Sequence, residues 1–399
     1  MEDLLSFLIV ISAGLFLSEI FRRFHLPYVV AMVVTGILIG PYGFDAISLN
    51  GTLDFLGTIG LVFLMFMAGL EIKLSYFGKI KGEVTKISIF NGLVPFAAGF
   101  LIGQYFGYGT LGSLLIGIIF ISSSIAVVIP SLESHRLLKS RVGKIIISST
   151  VIEDGLSLIL LSIILQVINP TTFLPLPLFY VLLVALLIAM KFAIPKIDDF
   201  FFSKIKKRDL FEQELRFIFV VLIGTVVLFD ILGMHAIIAG FFTGLILSDT
   251  IKSQKLKDKL HAISYGLFVP IFFIIIGMNT DVTVFLTAGG ALVLTAAIVI
   301  GSMSTKFIGG WLGGRLSGLN SQQSFMIGAA TIPQLSTTLA VAFIGLEYNL
   351  LDHKLITALV ILSIVTTFAG PFLMGWICPE CKLPPKGKKP SAKIKLLKE

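Results

Sequence analysis

Long apolar runs alternate with short polar connections along almost the whole chain. The runs lie at residues 4–22, 27–44, 53–72, 85–107, 110–131, 142–168, 173–194, 212–231, 234–249, 263–279, 284–314, 321–346 and 354–377. A helix needs about 20 predominantly apolar residues to cross the hydrocarbon core of a bilayer. The pattern therefore predicts an all-α polytopic membrane protein with about thirteen transmembrane helices.

The composition supports this class and excludes water-soluble ones. Of the 399 residues, 56% are hydrophobic and only 14% are charged, whereas about 25% are charged in a typical soluble domain. The first run lacks the basic segment and the small-residue cleavage site of a signal peptide, so we expect a transmembrane helix there. The net charge of +8 is explained by cytoplasmic loops, and no nucleic-acid partner is expected.

The basic residues predict the orientation. With the N-terminus outside, 29 of the 31 Lys and Arg residues fall at cytoplasmic ends, in cytoplasmic loops or in the tail. The exceptions are Lys354, on the outer side, and Lys306, inside a membrane run. Because positive charge is retained on the cytoplasmic side, we predict a multi-pass protein of the cell membrane with a cytoplasmic C-terminus.

A charged segment divides the chain into two halves of similar size. Residues 1–194 form the first membrane half, 195–211 a cytoplasmic linker, 212–377 the second half and 378–399 a basic cytoplasmic tail. The linker is charged with an aromatic cluster, which suits an amphipathic surface helix or a solvated loop. The tail lysines favour anionic lipid headgroups. The tail pair Cys378 and Cys381 is half of a zinc site at most.

The two halves resemble each other at a constant spacing. Residues 35–40 (TGILIG) correspond to 243–248 (TGLILS), and Gly69-Leu70-Glu71 corresponds to Gly277-Met278-Asn279. The offset is 208 residues and carries Ser123 onto Thr331. The predicted orientation makes corresponding helices run in opposite directions, so we predict two inverted-topology repeats, as in many transporters.

Two runs carry residues that interrupt helices. Ser122-Ser123-Ser124 is followed by Pro130 in the fifth run, and 331–338 (TIPQLSTT) interrupts the twelfth. Proline removes a backbone donor, and hydroxyls compete for backbone groups. We therefore predict two discontinuous helices, supported in the second repeat by Thr331, Pro333, Gln334 and Ser336. The alternative is a pair of ordinary kinked helices.

Three charged residues lie deep within apolar runs. Asp154 falls about 20 Å into its run at helical rise, and Glu153 precedes it directly. A charge in lipid is costly and is typical of an ion or proton pathway. Adjacent helical residues point in different directions, so the two carboxylates cannot both face one ion equally, and Lys306 is a charge of opposite sign that could pair with one of them.

The sequence resembles the monovalent cation:proton antiporter-2 family over about residues 5 to 375. The motifs that carry the resemblance are His25-Leu26-Pro27, Gly36-Ile37-Leu38-Ile39-Gly40-Pro41, Phe66-Met67-Ala68-Gly69-Leu70-Glu71, Ser123-Ser124 with the acidic pair after it, and Pro270 through Gly277. The resemblance implies a homodimer in which a mobile core domain carries two crossed broken helices. It identifies Asp154 as the ion-binding aspartate, matches Lys306 to a basic residue that pairs with the preceding carboxylate, and gives Gly69 and Glu71 a structural role.

Two departures from the family pattern refine this expectation. Many relatives carry Arg and Glu near the proline of the second broken helix, where this chain has Pro333-Gln334-Leu335-Ser336. The short tail leaves no room for the nucleotide-binding regulatory domain of potassium-efflux members, which favours simple sodium/proton exchange.

The sequence therefore predicts a transporter rather than an enzyme. It would exchange Na⁺ or Li⁺ for H⁺ by alternating access, with Asp154 as the shared carboxylate and Ser123 and Ser124 as further oxygen ligands. Lys306 would be the salt-bridge partner and a proton carrier. No cofactor and no metal beyond the transported cation are expected. A K⁺/H⁺ antiporter, a sodium-coupled organic-anion symporter of similar fold and a gated cation channel are the alternatives.

Overall fold

The computed structural model describes residues 2–23, 28–71, 81–168, 176–202, 210–232, 234–248, 250–251, 253–287 and 289–377. All regular secondary structure in these ranges is helical. The helices are α1 (Glu2–Arg23), α2 (Tyr28–Ile39), α3 (Gly51–Leu70), α4 (Lys81–Tyr105), α5 (Gly109–Ile121), α6 (Ile125–Ser134), α7 (Arg141–Ile168), α8 (Leu176–Phe202), α9 (Leu210–Ile231), α10 (Ala236–Ser248), α11 (Gln254–Ile263), α12 (Val269–Met278), α13 (Val284–Thr287), α14 (Ala291–Leu316), α15 (Ser321–Ala330), α16 (Ser336–Glu347) and α17 (His353–Ile377). A π-helical segment, Ser264–Phe268, joins α11 to α12.

The predicted all-α membrane class is confirmed. Among the described residues, eight helical segments are long and apolar enough to cross a bilayer, and they include Gly109–Ser134 and Arg141–Ile168. The remaining predicted runs coincide with shorter or more polar helices, such as α2 and α10, and the run 321–346 is divided between α15 and α16. The number of thirteen crossings stays a prediction.

The predicted linker does not begin as a separate element. Helix α8 continues without a break through Pro195 to Phe202, and α9 begins at Leu210. Residues 203–209, the basic part of the linker, lie outside the described residues, as does the tail with Cys378 and Cys381. The boundary predicted between the first membrane half and the linker, at residues 194 and 195, therefore falls inside α8.

Asparagine side chains start two of the helices. Asn50 accepts a hydrogen bond from the backbone N–H of Leu53 at 2.9 Å, before α3. Asn320 and Gln323 form a reciprocal capping box before α15. These side chains satisfy backbone donors that the first helical turn leaves without a partner.

The described residues belong to two compact units, and each sequence half contributes to both. The first unit draws on Met1–Leu74 and Ser162–Met278, and the second on Ser75–Leu161 and Asn279–Glu399. In the first unit, α3 packs against α10 and α2 packs against α12. In the second unit, α4 packs against both α5 and α14, and α14 packs against α15 and α17.

Glycine contacts in the first unit repeat with the predicted offset of 208 residues. A Cβ added to Gly36 would overlap the carbonyl oxygen of Ile274, and a Cβ added to Gly244 would overlap that of Phe66. Gly244 and Ile274 follow Gly36 and Phe66 by the same 208 positions. Both crossings require backbones in direct contact, which only glycine permits. The two halves therefore exchange equivalent contacts, as a pseudo-twofold repeat requires.

The second unit keeps the repeat but shifts its register by three residues. Gly99 approaches Gly117 as Gly310 approaches Gly328, with 2.9 Å from each added Cβ to the facing Cα. These pairs differ by 211 positions. The start of α6 at Ile125 and the start of α16 at Ser336 differ by 211 as well. The prediction that Ser123 corresponds to Thr331 is therefore wrong by three residues, because the stretch before α14 is longer than its counterpart before α4. Ser123 corresponds to Gln334.

Candidate functional site

The two predicted broken helices are present, and they cross in the second unit. Helix α5 ends at Ile121 and α6 begins at Ile125, with Ser122 and Ser124 in extended conformation between them. Helix α15 ends at Ala330 and α16 begins at Ser336. The Ser124 N–H donates to the Pro333 carbonyl at 2.7 Å. The unwound segments are thus hydrogen-bonded directly to each other.

Side chains add two further contacts at the crossing. The Ser123 hydroxyl lies 2.9 Å from the Thr331 carbonyl oxygen, and the hydroxyls of Ser122 and Thr338 are 2.8 Å apart. Pro130, which the sequence offered as part of the first break, lies inside α6. The first break therefore comes from the three serines, and in the second repeat Pro333 lies within the unwound segment.

Gln334 connects the crossing to its surroundings through every polar atom of its side chain. Its Nε2 donates to the carbonyls of Phe120 at 3.0 Å and Ser122 at 3.1 Å. Its Oε1 accepts from the Ser302 hydroxyl at 2.9 Å, and its backbone N–H donates to Thr366 Oγ1 at 3.1 Å. Gln334 is fully buried. Beside Pro333, where the family resemblance implies charged residues, the chain thus holds a neutral side chain that satisfies carbonyls freed at the end of α5.

Glu153 is completely enclosed and accepts from three side chains. Lys306 Nζ lies 2.8 Å from Glu153 Oε2, and the Ser123 hydroxyl donates to the same oxygen at 2.8 Å. Asn91 Nδ2 donates to Oε1 at 2.8 Å. Both Glu153 and Lys306 have no exposed surface. The structure thus brings together the pair that the sequence predicted, and Glu153 has little capacity left for another ligand.

Lys306 also contacts backbone oxygens. Its ammonium group donates to the Ile121 carbonyl and lies 3.5 Å from the Asn91 carbonyl oxygen. Ile121 is the last residue of α5, where the helix dipole leaves partial negative charge. Three acceptors therefore match the three N–H donors of the ammonium group.

Asp154 is buried beside Glu153 but has few donors. The Ser123 backbone N–H lies 3.3 Å from Asp154 Oδ1, which is long for a hydrogen bond. The Thr337 hydroxyl is a second polar neighbour. The Ser124 hydroxyl, on the same unwound segment, is buried and has no hydrogen-bond partner. Asp154 therefore keeps oxygen lone pairs for a proton or a small cation, and hydroxyl oxygens are at hand as hard ligands.

Sequence reasoning missed Asn91, Ser302 and Thr337. Asn91 gave a usable signal, because an amide in the middle of the apolar run 85–107 needs a polar partner. The two hydroxyl residues gave none, since Ser and Thr are common in membrane helices.

Two predicted residues belong to the other compact unit. Gly69 and Glu71 belong to the first unit, whereas Asp154 and Lys306 belong to the second. Gly69 faces the Phe241 carbonyl at a glycine crossing, and Glu71 directly follows α3 as its C-terminal cap. Thr331 bonds back to the Ile327 carbonyl at 3.0 Å within its helix, and Ser336 is the first residue of α16.

Comparison with known proteins gives matches over almost the whole chain. The family model described as "Sodium/hydrogen exchanger, transmembrane" matches residues 7–378. A probable Na⁺/H⁺ antiporter of Methanocaldococcus jannaschii is 31% identical over 376 residues, which cover 92% of this chain and 95% of that protein. The Na⁺/H⁺-K⁺ antiporter GerN of Bacillus cereus is 26% identical over 368 residues, covering 91% and 93%.

A solved structure has a similar fold. The sodium proton antiporter MjNhaP1 from Methanocaldococcus jannaschii superposes with a TM-score of 0.71 at 15% identity, and the match covers 96% of this chain and 100% of that chain. At this identity the likeness concerns the fold alone.

Proposed function

The chain belongs to the sodium/hydrogen exchanger family, and from this we propose that it exchanges Na⁺ for H⁺ across the membrane, with Asp154 as the group that binds either ion. The observation that carries the proposal is the unequal environment of the two neighbouring carboxylates. Glu153 is neutralised by Lys306 at 2.8 Å and saturated by two further donors. Asp154 has one long backbone contact and a hydroxyl neighbour, so a single negative charge is free to bind.

The chemistry of exchange follows from that one charge. A carboxylate holding a proton has lost most of its attraction for Na⁺, and a carboxylate holding Na⁺ has no charge left for a proton. Ser124 and Thr337 would supply hydroxyl oxygens to a cation at Asp154, and the carbonyls of the unwound segments are a further source of oxygen ligands. If Asp154 is exposed to the two sides alternately and crosses only when occupied, the two ions exchange.

Lys306 fits the role of a fixed counter-charge in this scheme. Its contacts with Glu153 and with the end of α5 compensate a charge that would be costly to bury alone. The competing role for Lys306 is that of a proton carrier, because transfer of its proton during transport would make exchange electrogenic.

We also expect a homodimer in the cell membrane, with the N-terminus outside.

The test is transport by purified protein in vesicles that contain a pH-reporting dye. Addition of Na⁺ or Li⁺ should move protons out of the vesicles that contain wild-type protein, and Asp154→Asn should abolish this movement. Glu133→Gln, a change to an exposed residue of α6, is the matched control and should transport like wild type. Proton movement that survives Asp154→Asn would overturn the assignment.

Potassium is a second candidate ion. GerN, which matches along nearly its full length, is named as an antiporter of Na⁺, H⁺ and K⁺. The same assay with K⁺ in place of Na⁺ distinguishes a Na⁺-selective exchanger from one that transports both cations. A K⁺-driven proton movement as large as the Na⁺-driven one would show that both cations are substrates.

A further inference from the structure

A cavity of about 710 Å³ opens at one end of the second unit, away from the carboxylates. Pockets that bind small molecules measure about 300–1,000 Å³. Its lining comes from residues 106–108 between α4 and α5, from parts of 289–294 at the start of α14, and from parts of 346–354 between α16 and α17. All of these belong to the second unit. Helix α5 leads from Gly109, next to the cavity, to Ile121 at the helix crossing, about 18 Å away at helical rise.

The cavity is at the level of the lipid headgroups. Four segments long enough to cross a bilayer have an end beside it, since Lys81–Tyr105 ends there and Gly109–Ser134, Ala291–Leu316 and His353–Ile377 begin there. Headgroups border the hydrocarbon core at this level. The neighbouring surface is apolar, with Leu292 67% exposed, Val293 62% and Tyr105 85%. The lipid-facing surface of α4 and α14 thus reaches the rim of the cavity.

Asp352 is a carboxylate held in a fixed position in the cavity wall. Its Oδ1 accepts a hydrogen bond from the Tyr108 hydroxyl at 2.9 Å and another from the backbone N–H of Leu355 at 2.9 Å. The first bond joins the α4–α5 turn to the α16–α17 turn, and the second caps α17. Within the described part of the chain, the other carboxylate oxygen has no donor. Asp352 can therefore bind an external N–H group without giving up either contact.

Lys354 lines the same cavity with the opposite charge. It is exposed, and its ammonium group forms no ion pair with Asp352 or with any other described residue. His353, between them in sequence, has Nδ1 at 3.2 Å from the Asn279 carbonyl oxygen. A carboxylate and an ammonium group that line one cavity without pairing are complementary to a zwitterion, in which each charge meets its opposite.

We propose that this cavity binds the phosphoethanolamine headgroup of a phospholipid, with the lipid ammonium at Asp352, the phosphate at Lys354 and the acyl chains along Leu292 and Val293. A primary ammonium group has three N–H donors for the carboxylate. A purely anionic headgroup would instead be repelled by Asp352. The bound headgroup connects the turn before α5 to the turn after α16, so it holds together the outer ends of both broken helices. The inference goes beyond ion exchange and does not depend on it.

The test is lipid binding by the purified protein in detergent. Phosphatidylethanolamine, phosphatidylglycerol and phosphatidylcholine with identical acyl chains are titrated, and the rise in melting temperature with lipid concentration gives an apparent Kd. Wild-type protein should bind phosphatidylethanolamine roughly tenfold more tightly than the other two, the effect of one charged hydrogen bond. Phosphatidylglycerol has no ammonium group, and the choline headgroup has no N–H donor.

Two variants remove one charge of the cavity each. Asp352→Asn keeps the helix cap, since asparagine caps as well as aspartate. It should lose the preference for phosphatidylethanolamine and bind phosphatidylglycerol more tightly than wild type does. Lys354→Gln should weaken phosphatidylethanolamine binding roughly tenfold. Glu133→Gln and Lys139→Gln are the controls, because they remove exposed charges at the other end of the same unit, and both should bind like wild type.

Equal binding of the three lipids by wild-type protein would overturn the proposal. Unchanged phosphatidylethanolamine binding in Asp352→Asn or in Lys354→Gln would do so too, as would an equal loss in the controls. Glycerophosphoethanolamine, the headgroup without acyl chains, should not raise the melting temperature at the concentrations at which the lipid does. If it does, the ligand is a free zwitterion and the lipid assignment is wrong. Failure of the exchange function would appear as transport that persists in Asp154→Asn, and it would leave these binding results unchanged.

Discussion

Glu153 and Asp154 are neighbours in sequence, yet the side chains around them divide their roles. Helical geometry turns adjacent residues about 100° apart. Glu153 contacts Asn91 of α4, Lys306 of α14 and the Ser123 hydroxyl, while Asp154 contacts the Ser123 backbone and Thr337 of α16. The ion pair of Glu153 with Lys306 has no exposed surface on either side chain. In such a pair, loss of one member leaves an uncompensated buried charge.

A double-mutant cycle on this pair should show strong coupling. Lys306→Gln leaves Glu153 charged and buried, so we expect the unfolding free energy to fall by about 3–5 kcal/mol. Glu153→Gln combined with Lys306→Gln removes both charges and should restore a large part of that loss. Thermal unfolding of the purified proteins in detergent measures both effects.

The outcome of this cycle also bears on the role of Lys306 in transport. A double variant no more stable than Lys306→Gln alone would contradict the ion-pair interpretation. Exchange by Lys306→Gln with unchanged rate and stoichiometry would exclude Lys306 as a proton carrier and leave it as a counter-charge.

At the scale of helices, the glycine crossings of the first unit hold α2 against α12 and α10 against α3. Backbone contact of this kind excludes any side chain, because the added carbon would overlap a carbonyl oxygen. Substitution there forces the helices apart, and overpacking of this kind costs about 1–3 kcal/mol.

The repeat makes a paired prediction possible. Gly36→Ala and Gly244→Ala occupy equivalent positions, so each should lower the melting temperature and the two decreases should be similar. Gly224→Ala, in α9 with no atom within 4 Å of the added Cβ, is the control and should be neutral or slightly stabilising, since alanine favours helix. Thermal unfolding checks all three. A large effect at only one of the paired positions would contradict equivalent crossings.

At the scale of the whole molecule, the distribution of Lys and Arg predicts the direction of insertion. The two cysteines of the chain, Cys378 and Cys381, are both in the predicted cytoplasmic tail. A membrane-impermeant thiol reagent should therefore label the protein only after cells are permeabilised. Labelling in intact cells would place the C-terminus outside and invert the predicted topology.

Much of the site could be predicted from the sequence because its signals are local. Charged residues in apolar runs stand out on composition alone, which identified Asp154, Glu153 and Lys306. The breaks at Ser122-Ser123-Ser124 and around Pro333 were visible because such residues weaken helices. The all-helical fold followed from the length and spacing of the apolar runs.

Other features depend on which helices touch, and periodicity does not contain that information. Asn91 became part of the site only because its amide on α4 reaches Glu153 of α7. Gln334 became a junction because the unwound segment before α16 lies at the end of α5. Pro130 was a misleading signal, since α6 accommodates it near the middle of the helix. The predicted correspondence in the second unit was wrong by three residues. Extra residues in a connection leave the apolar patterns of both flanking helices unchanged, so the sequence pattern does not reveal them.

The neutral chemistry of the helix crossing has a consequence for how the protein responds to its surroundings. Gln334, Ser302 and Thr366 hold the unwound segments through amide and hydroxyl groups, which neither titrate near neutral pH nor lose strength when dissolved salt screens charges. High salt concentration or low pH should therefore leave the hydrogen bonds at the helix crossing intact. Any sharp dependence of transport on acidity or ionic strength would then arise in the three buried ionisable groups beside it, and substitutions at Gln334 should change the rate without moving the pH profile.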